Sequence, residues 1–243
     1  MREIGRLIGL LTVLAILAGG GAAEAATLKA AYQLQGSRSS EVAGAPDLVD
    51  LAPGNVFTTE TVGGTTRQLL AFPEGSGVSL ATAGLIDQTS FSVVMVFRLA
   101  EVSGFRRLLD FSGGSSDLGL YVQSGAVRLY GSGGAYAVDP SVAASSYVQI
   151  ALTSEGNVDG TQSVDAYVDG DLRAFSEGAG TNFSLRSGIL RFFKDDSSFG
   201  GEESSGAVAC VAVYDGALTP EEVGEHAADP ARCTPPPPPP PPP

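Results

Sequence analysis

Tryptophan is absent from this chain, histidine occurs once, and cysteine and methionine occur twice each. Each scarcity removes chemistry. Without tryptophan the best aromatic platform for stacking is missing. A serine or cysteine nucleophile usually needs a histidine base, and the one candidate, His226, stands beside Glu225 in a C-terminal helical stretch. A surface helix position is expected for it. One histidine and two cysteines also serve zinc poorly. Basic residues are scarce as well: 14 against 27 acidic ones, for a net charge of −13. That balance argues against nucleic acid and anionic membrane surfaces, whose phosphates call for Lys and Arg.

The N-terminus reads as an address. Arg2 and Arg6 precede the apolar run Leu7–Ala18, and small residues lead to an Ala23-Glu24-Ala25 cleavage pattern. Residues 1–25 are therefore predicted to be a signal peptide. No later segment is apolar enough to cross a bilayer, so no membrane insertion is expected after cleavage. The predicted location is secreted, cell-surface or periplasmic. The remaining chain is long enough to bury roughly 70% of its unfolded surface as one sandwich.

Strand patterns fill the body. In Phe91–Leu99, residues Phe91, Val93, Met95, Phe97 and Leu99 share one face, and Val94 and Val96 occupy the other. Apolar on both sides, this segment is predicted to be a central covered strand. In Tyr147–Thr153, Val148, Ile150 and Leu152 alternate with Gln149 and Thr153. Turn residues punctuate paired runs at Gly63-Gly64, Ser124-Gly125 and Asp169-Gly170. A two-residue loop at Asp169-Gly170 pairs Val168 with Asp171 and Tyr167 with Leu172. That mixes polar with apolar partners, so a bulge is expected nearby. Short strands with Gly-rich turns imply an all-β, antiparallel sandwich or barrel.

One short C-terminal helix is predicted from Thr219-Pro220-Glu221-Glu222, which offers an N-cap hydroxyl, a proline at N1 and a glutamate at N3. It should end near Ala228, before Asp229-Pro230. Export and an even cysteine count predict a Cys210–Cys233 disulfide, with the helix returning the chain to the closing strand. Residues 26–233 form the predicted domain. Residues 234–243 are a polyproline tail or linker, its nine prolines from Pro235 to Pro243 reaching roughly 28 Å as polyproline II.

Several segments carry a family resemblance. They are SFSVVMVFRL, RRLLDFSGGSSDLGLYV, YVQIALT, the YVDGDLRAF hairpin and the closing GAVACVAVYDGALTPEEV. Together they resemble a laminin G-like (LamG-like) domain of the concanavalin A-like lectin/glucanase superfamily, of the bacterial exported type. The segment Phe192-Phe193-Lys194-Asp195-Asp196 is similar to a Phe-Phe-x-Asp-Asp run of bacterial LamG-like proteins. The resemblance implies a jelly-roll sandwich. The chain departs from the pattern at Tyr147-Val148-Gln149, where relatives often carry Trp-His-His.

Catalytic motifs are lacking. The glucanases of this superfamily place their carboxylates as Glu-x-Asp-x-(x)-Glu on one strand, and no such run occurs here. Asp165 and Asp169 come nearest, but Asp169 belongs to the turn. The same aspartates fail as an EF-hand loop, with Tyr167 at position three. No catalytic residues are therefore expected. Tyr121, Tyr130 and Tyr167 are candidates for stacking on a sugar, against a plain packing role on a sheet face.

The densest constellation runs from Asp195 to Glu203, four carboxylates among Ser and Gly. Asp195, Asp196 and Glu203, joined by Asp117 from the Asp110–Asp117 loop, are predicted to hold one Ca²⁺, as calcium sites in the family lie at a sandwich rim. A solvated acidic loop is the plain alternative. The expected function is an exported, non-enzymatic recognition module. Its expected partner is an extracellular glycan or protein, held at a loop rim. A polysaccharide hydrolase or lyase and a purely structural surface module are the rival readings.

Overall fold

The computed structural model describes residues 25–131, 141–178, 182–196 and 200–235. The predicted leader, up to residue 24, and the prolines from Pro236 onward lie outside the described residues. No helix among the described residues is long and apolar enough to cross a membrane.

Two antiparallel sheets form the sandwich. The larger sheet contains β1 (Thr27–Tyr32), β3 (Val56–Val62), β4 (Thr65–Phe72), β6 (Phe91–Leu99), β10 (Val148–Gly156), β11 (Gln162–Val168), β12 (Asp171–Gly178) and β14 (Gly206–Asp215). Its order is β12-β11-β10-β6-β14-β4-β3, with β1 also pairing to β14. The smaller sheet contains β2 (Val49–Asp50), β5 (Val78–Ala81), β7 (Phe105–Asp110), β8 (Gly119–Gln123), β9 (Ala126–Tyr130) and β13 (Ile189–Phe192), ordered β2-β5-β13-β7-β8-β9.

Alternation along the strands fills the space between the sheets. Phe91, Val93, Met95, Phe97, Ile150, Leu152, Val211 and Val213 meet Leu80, Leu108, Leu120, Val122, Leu190 and Phe192 in one core. Each fully buried large apolar side chain contributes about 1.5–3 kcal/mol. Strand β6 is buried on both faces, as its double apolar pattern predicts. Its outward residues Val94 and Val96 enter a second cluster with Tyr167, Cys210, Tyr214, Leu218, Val223 and Cys233 on the outer face of the larger sheet.

Helix α1 (Pro220–Ala227) covers that cluster. Thr219 caps it, and the hydroxyl and the Glu222 side chain exchange hydrogen bonds with each other's backbone N–H groups. The disulfide joins Cys210 to Cys233, so the expected pairing is present. It ties the segment after α1 to β14 at a bulge, where the register against β6 shifts between Val208 and Cys210.

All three expected two-residue hairpin turns form. Both central residues have positive φ at Gly63-Gly64, Ser124-Gly125 and Asp169-Gly170, the geometry that suits the strand twist. At the last turn Val168 does pair with Asp171 and Tyr167 with Leu172, and the bulge follows one step back, between Ala166 and Tyr167.

Two placements differ from expectation. His226 is 2% exposed, not on the surface. Its ring meets Tyr214 edge-on at 5.4 Å, because α1 lays this face on the second apolar cluster. Tyr167 is also buried in that cluster, so it offers no open face for stacking.

Candidate functional site

The outer face of the smaller sheet has a different character. On β7 the alternation sends Leu108 inward and Phe105 and Arg107 outward. On β8 and β9 it sends Tyr121 and Tyr130 to the same outer side. Arg107 is wholly buried, an expensive place for a charge unless it is paired. It is paired fully. Its Nε donates to Asp195 at 2.9 Å and its Nη2 to Asp196 at 3.0 Å, and Asp117 lies 3.6 Å away. The carbonyls of Leu118 and Ser116 accept at 3.3 and 3.4 Å. Its guanidinium carbon sits 4.3 Å over the Tyr121 ring.

The chain is bent to bring these carboxylates in. After β13, Phe193 adopts φ +61°, uncommon for a bulky residue and worth roughly 1–3 kcal/mol of strain. It is held there by burial, by stacking on Phe72 at 4.4 Å and by donating its N–H to Leu108. The turn carries Asp195 and Asp196 over Arg107. On the other side, Gly114 packs so closely on Arg191 that an added Cβ would collide with the guanidinium. Arg191 in turn binds Asp110 at 3.1 Å and the Asp195 carbonyl at 3.2 Å.

Of the residues expected to gather, Asp117, Asp195 and Asp196 do meet, but around an arginine. Glu203 does not join them. It pairs with Lys194 at 3.2 Å and accepts from the Asp195 N–H at 3.3 Å. Its neighbour Glu202 takes the place, with oxygens of Asp117, Asp195 and Glu202 all within 4.8 Å of one another. Residues 200–205 run beside β7, the Arg107 N–H donating to the Glu202 carbonyl at 2.8 Å, and adjacent residues of an extended chain point to opposite sides.

Burial pushes Asp117, Asp195 and Glu202 above the usual carboxylate range, reinforced by their mutual repulsion and opposed by Arg107. Asp117 also shares a carboxyl–carboxyl hydrogen bond with Asp196, which favours a protonated partner. Among the described residues, Oδ2 of Asp195 and Oδ1 of Asp117 are buried without a hydrogen-bond partner, the latter 3.6 Å from the Arg107 Nη2.

Beside this cluster opens a cleft of about 160 Å³, lined by Phe105, Asp117, Tyr121, Tyr130 and Glu202. Its three rings pack edge to face, with centroids 5.9, 6.1 and 6.0 Å apart and planes at 84°, 76° and 75°. Tyr121, 1% exposed, lies at the floor, and the half-buried Phe105 and Tyr130, 48% exposed at the mouth, supply the open aromatic surface. A larger groove of about 900 Å³ lies on the larger sheet near Asp87, Glu155, Asp165 and Asp215. It is mainly a hydroxyl and carboxylate surface whose one aromatic, Tyr167, is 5% exposed.

Sequence reasoning singled out Tyr121 and Tyr130 but missed Phe105, Arg107 and Glu202. Two adjacent arginines in a strand of an acidic protein, at Arg106-Arg107, were the available signal.

A two-layer antiparallel jelly-roll sandwich, with aromatic and acidic groups on one outer face, defines a lectin-like class of domain. The chain belongs to the concanavalin A-like lectin/glucanases superfamily, whose laminin G-type family model matches residues 72–224. Among solved structures it is similar to domain 4 of AbnA, a GH43 extracellular arabinanase from Geobacillus stearothermophilus, in complex with arabinotriose. The TM-score is 0.59 at 14% identity, over 84% of this chain and 100% of that one. The receptor binding domain of botulinum neurotoxin type G gives 0.54 at 11% identity, over 83% of this chain and 51% of that one. A Trypanosoma rangeli sialidase gives 0.52 at 18% identity, over 78% and 33%. The chain thus spans about half of the neurotoxin domain and a third of the sialidase. At these identities the likeness is one of fold. No curated protein sequence matches the chain.

Proposed function

We propose that this chain is an exported, non-enzymatic recognition module that binds a glycan in the cleft of Phe105, Tyr121, Tyr130, Asp117 and Glu202. The observation that carries the reading is the cleft where Tyr130 and Phe105, over a buried Tyr121, open beside two carboxylates. Rings supply flat apolar contact for a sugar face, and carboxylates accept hydrogen bonds from its hydroxyls. The arabinotriose-bound neighbour lends support as a sugar complex on the same fold. Export is supported by the disulfide, a bond of oxidising compartments, and by the leader pattern of residues 1–25. Residues 26–233 would be the module and 234–243 its spacer.

The hydrolase reading would use Asp117 and Glu202 as its carboxylate pair. The superfamily's Glu-x-Asp-x-(x)-Glu carboxylate run is absent from the sequence, which favours binding over catalysis. The test is a glycan array with the parent and Tyr130→Ala, beside a reducing-sugar release assay on a polysaccharide panel. The reading expects glycan retention that the variant loses, and no sugar release. Release that is lost in Glu202→Gln would make the chain a hydrolase. An empty array would leave a structural surface module.

A bound Ca²⁺ is the second reading, favoured by the unpartnered oxygens of Asp117 and Asp195 beside Glu202. The trio supplies part of the six to eight oxygens that calcium takes. A melting temperature that rises with Ca²⁺ but not Mg²⁺ in the parent, and in neither ion in Glu202→Gln, is the outcome this reading requires.

A further inference from the structure

We infer that the cleft takes an organic cation: the group seated among Phe105, Tyr121 and Tyr130 is a positively charged ammonium, carried by an amino sugar. The inference rests on the reading that this cleft is the ligand site, and it names the ligand's chemistry. Three observations converge on it.

The first is aromatic surface at an open cleft. The 48% exposed Tyr130 and the half-buried Phe105 stand nearly perpendicular there, offering a face and an edge rather than one flat platform. A cation within about 6 Å of a ring centroid gains from the ring quadrupole, and an ammonium that keeps its N–H donors can also bond the adjoining carboxylates. The second is charge. Among the described residues the cleft is lined by two carboxylates, Asp117 and Glu202, and by no basic side chain. Arg107 is committed to Asp195 at 2.9 Å and Asp196 at 3.0 Å, and reaches Asp117 only at 3.6 Å. An ammonium group answers the negative charge of Asp117 and Glu202, and an anionic sugar would be repelled by it. The third is precedent within the fold. Tyr121 already carries a cation, the Arg107 guanidinium, 4.3 Å from its centroid, and further surface of the same residue lines the cleft.

A metal ion would use the carboxylates but gain nothing from the rings. A neutral sugar would use the rings but leave the carboxylate charge unanswered. An ammonium-bearing sugar uses both.

The test is a set of NMR titrations of the full chain with glucosamine, N-acetylglucosamine, glucose, N-acetylneuraminic acid, choline and CaCl₂, at a pH where the free amine is charged. The inference expects glucosamine to shift signals of Tyr130 and Glu202 and to bind at least tenfold more tightly than N-acetylglucosamine or glucose, with N-acetylneuraminic acid weaker still. Glu202→Gln should weaken glucosamine at least tenfold while sparing any binding of glucose. Tyr130→Ala, at a half-exposed position that the fold tolerates, should weaken it similarly. Choline binding more tightly than glucosamine would keep the cation but overturn the glycan reading. Glucose or N-acetylglucosamine binding as well as glucosamine, and lost in Tyr130→Ala, would overturn this inference and leave the glycan reading standing. Ca²⁺ perturbing the cleft while no ammonium compound does would overturn it in favour of the metal. No response at the cleft to any probe would overturn both.

Discussion

The two outer faces of the sandwich bury polar groups by opposite means. On the larger sheet, the half-buried Arg67 donates to the backbone carbonyls of Gln33, Ala209 and Ala231. Around it lie an apolar cluster, a capped helix and a disulfide. On the smaller sheet Arg107 is buried outright and faces carboxylates instead. Neutral carbonyls accept from the Arg67 Nη groups, and the carboxylates of Asp229 and Glu41 favour its charge. Carboxylates in excess of their arginines leave the other face negatively charged, and the aromatic cleft opens there.

The largest expected effect sets these two arginines against each other. Arg107→Leu should cost about 3–5 kcal/mol, because it strands buried carboxylates without their counter-charge. Arg67→Leu should cost about 1–3 kcal/mol, the loss of charge-assisted bonds to neutral carbonyls. Urea melts of both variants measure this, and equal losses would erase the distinction between the faces. Next is the covalent tie on the closed face. Cys210→Ala/Cys233→Ala should lower stability by about 3 kcal/mol in the chain-entropy model for a loop with this separation of 23 residues. It should leave ligand titrations at the cleft unchanged; a shifted affinity there would mean the faces are coupled through β14 and β6. Smaller still, Thr219→Ala removes the N-cap of α1 and should cost about 1 kcal/mol, read from the same melts.

The last prediction is one of sign. Burial lowers the His226 pKa from 6.5, so the stability it contributes is complete above that value and drains as the pH falls below it. Asp117, Asp195 and Glu202 are held above their ordinary values, so the folded face gains as the pH falls toward those values and loses as it rises through the folded ones. From pH 7 down to pH 4, toward the ordinary carboxylate values, amide hydrogen exchange corrected for intrinsic rates should show protection falling in Pro220–Ala227 and rising in Phe105–Asp110. Changes of the same sign in both elements would break the comparison. His226→Phe should remove the loss in the helix and leave the gain in the strand.

The sequence made the frame legible because frames are written in local periodicity. The two-sided apolar run of β6, the three Gly or Asp turns and the Thr219 capping box are each decided by neighbours within a few residues. The family resemblance added the order of the layers. The site was only half legible. Asp117, Asp195 and Asp196 were visible as an acidic constellation, but their partner Arg107 comes from a strand far away in sequence, and no local pattern announces that pairing. Glu203 was chosen over Glu202 because composition says nothing about which side of an extended segment a residue faces. His226 was misplaced for a related reason: its polarity argued for the surface, while the face of α1 it occupies was set by packing against Tyr214.

The disulfide has a mechanical consequence. Cys233 stands at the exit to the proline run, and its partner Cys210 sits within β14, flanked by β6 on one side and by β1 and β4 on the other. Tension drawn through the residues beyond Cys233 is therefore delivered to the middle of the sheet, and α1 lies within the closed loop, carrying none of it. Reduction would reroute the load through α1 and let out the chain between two cysteines 23 positions apart, roughly 80 Å at full extension. The bond acts as a strain relief, fixing how far the chain beyond Cys233 stands from the sheet.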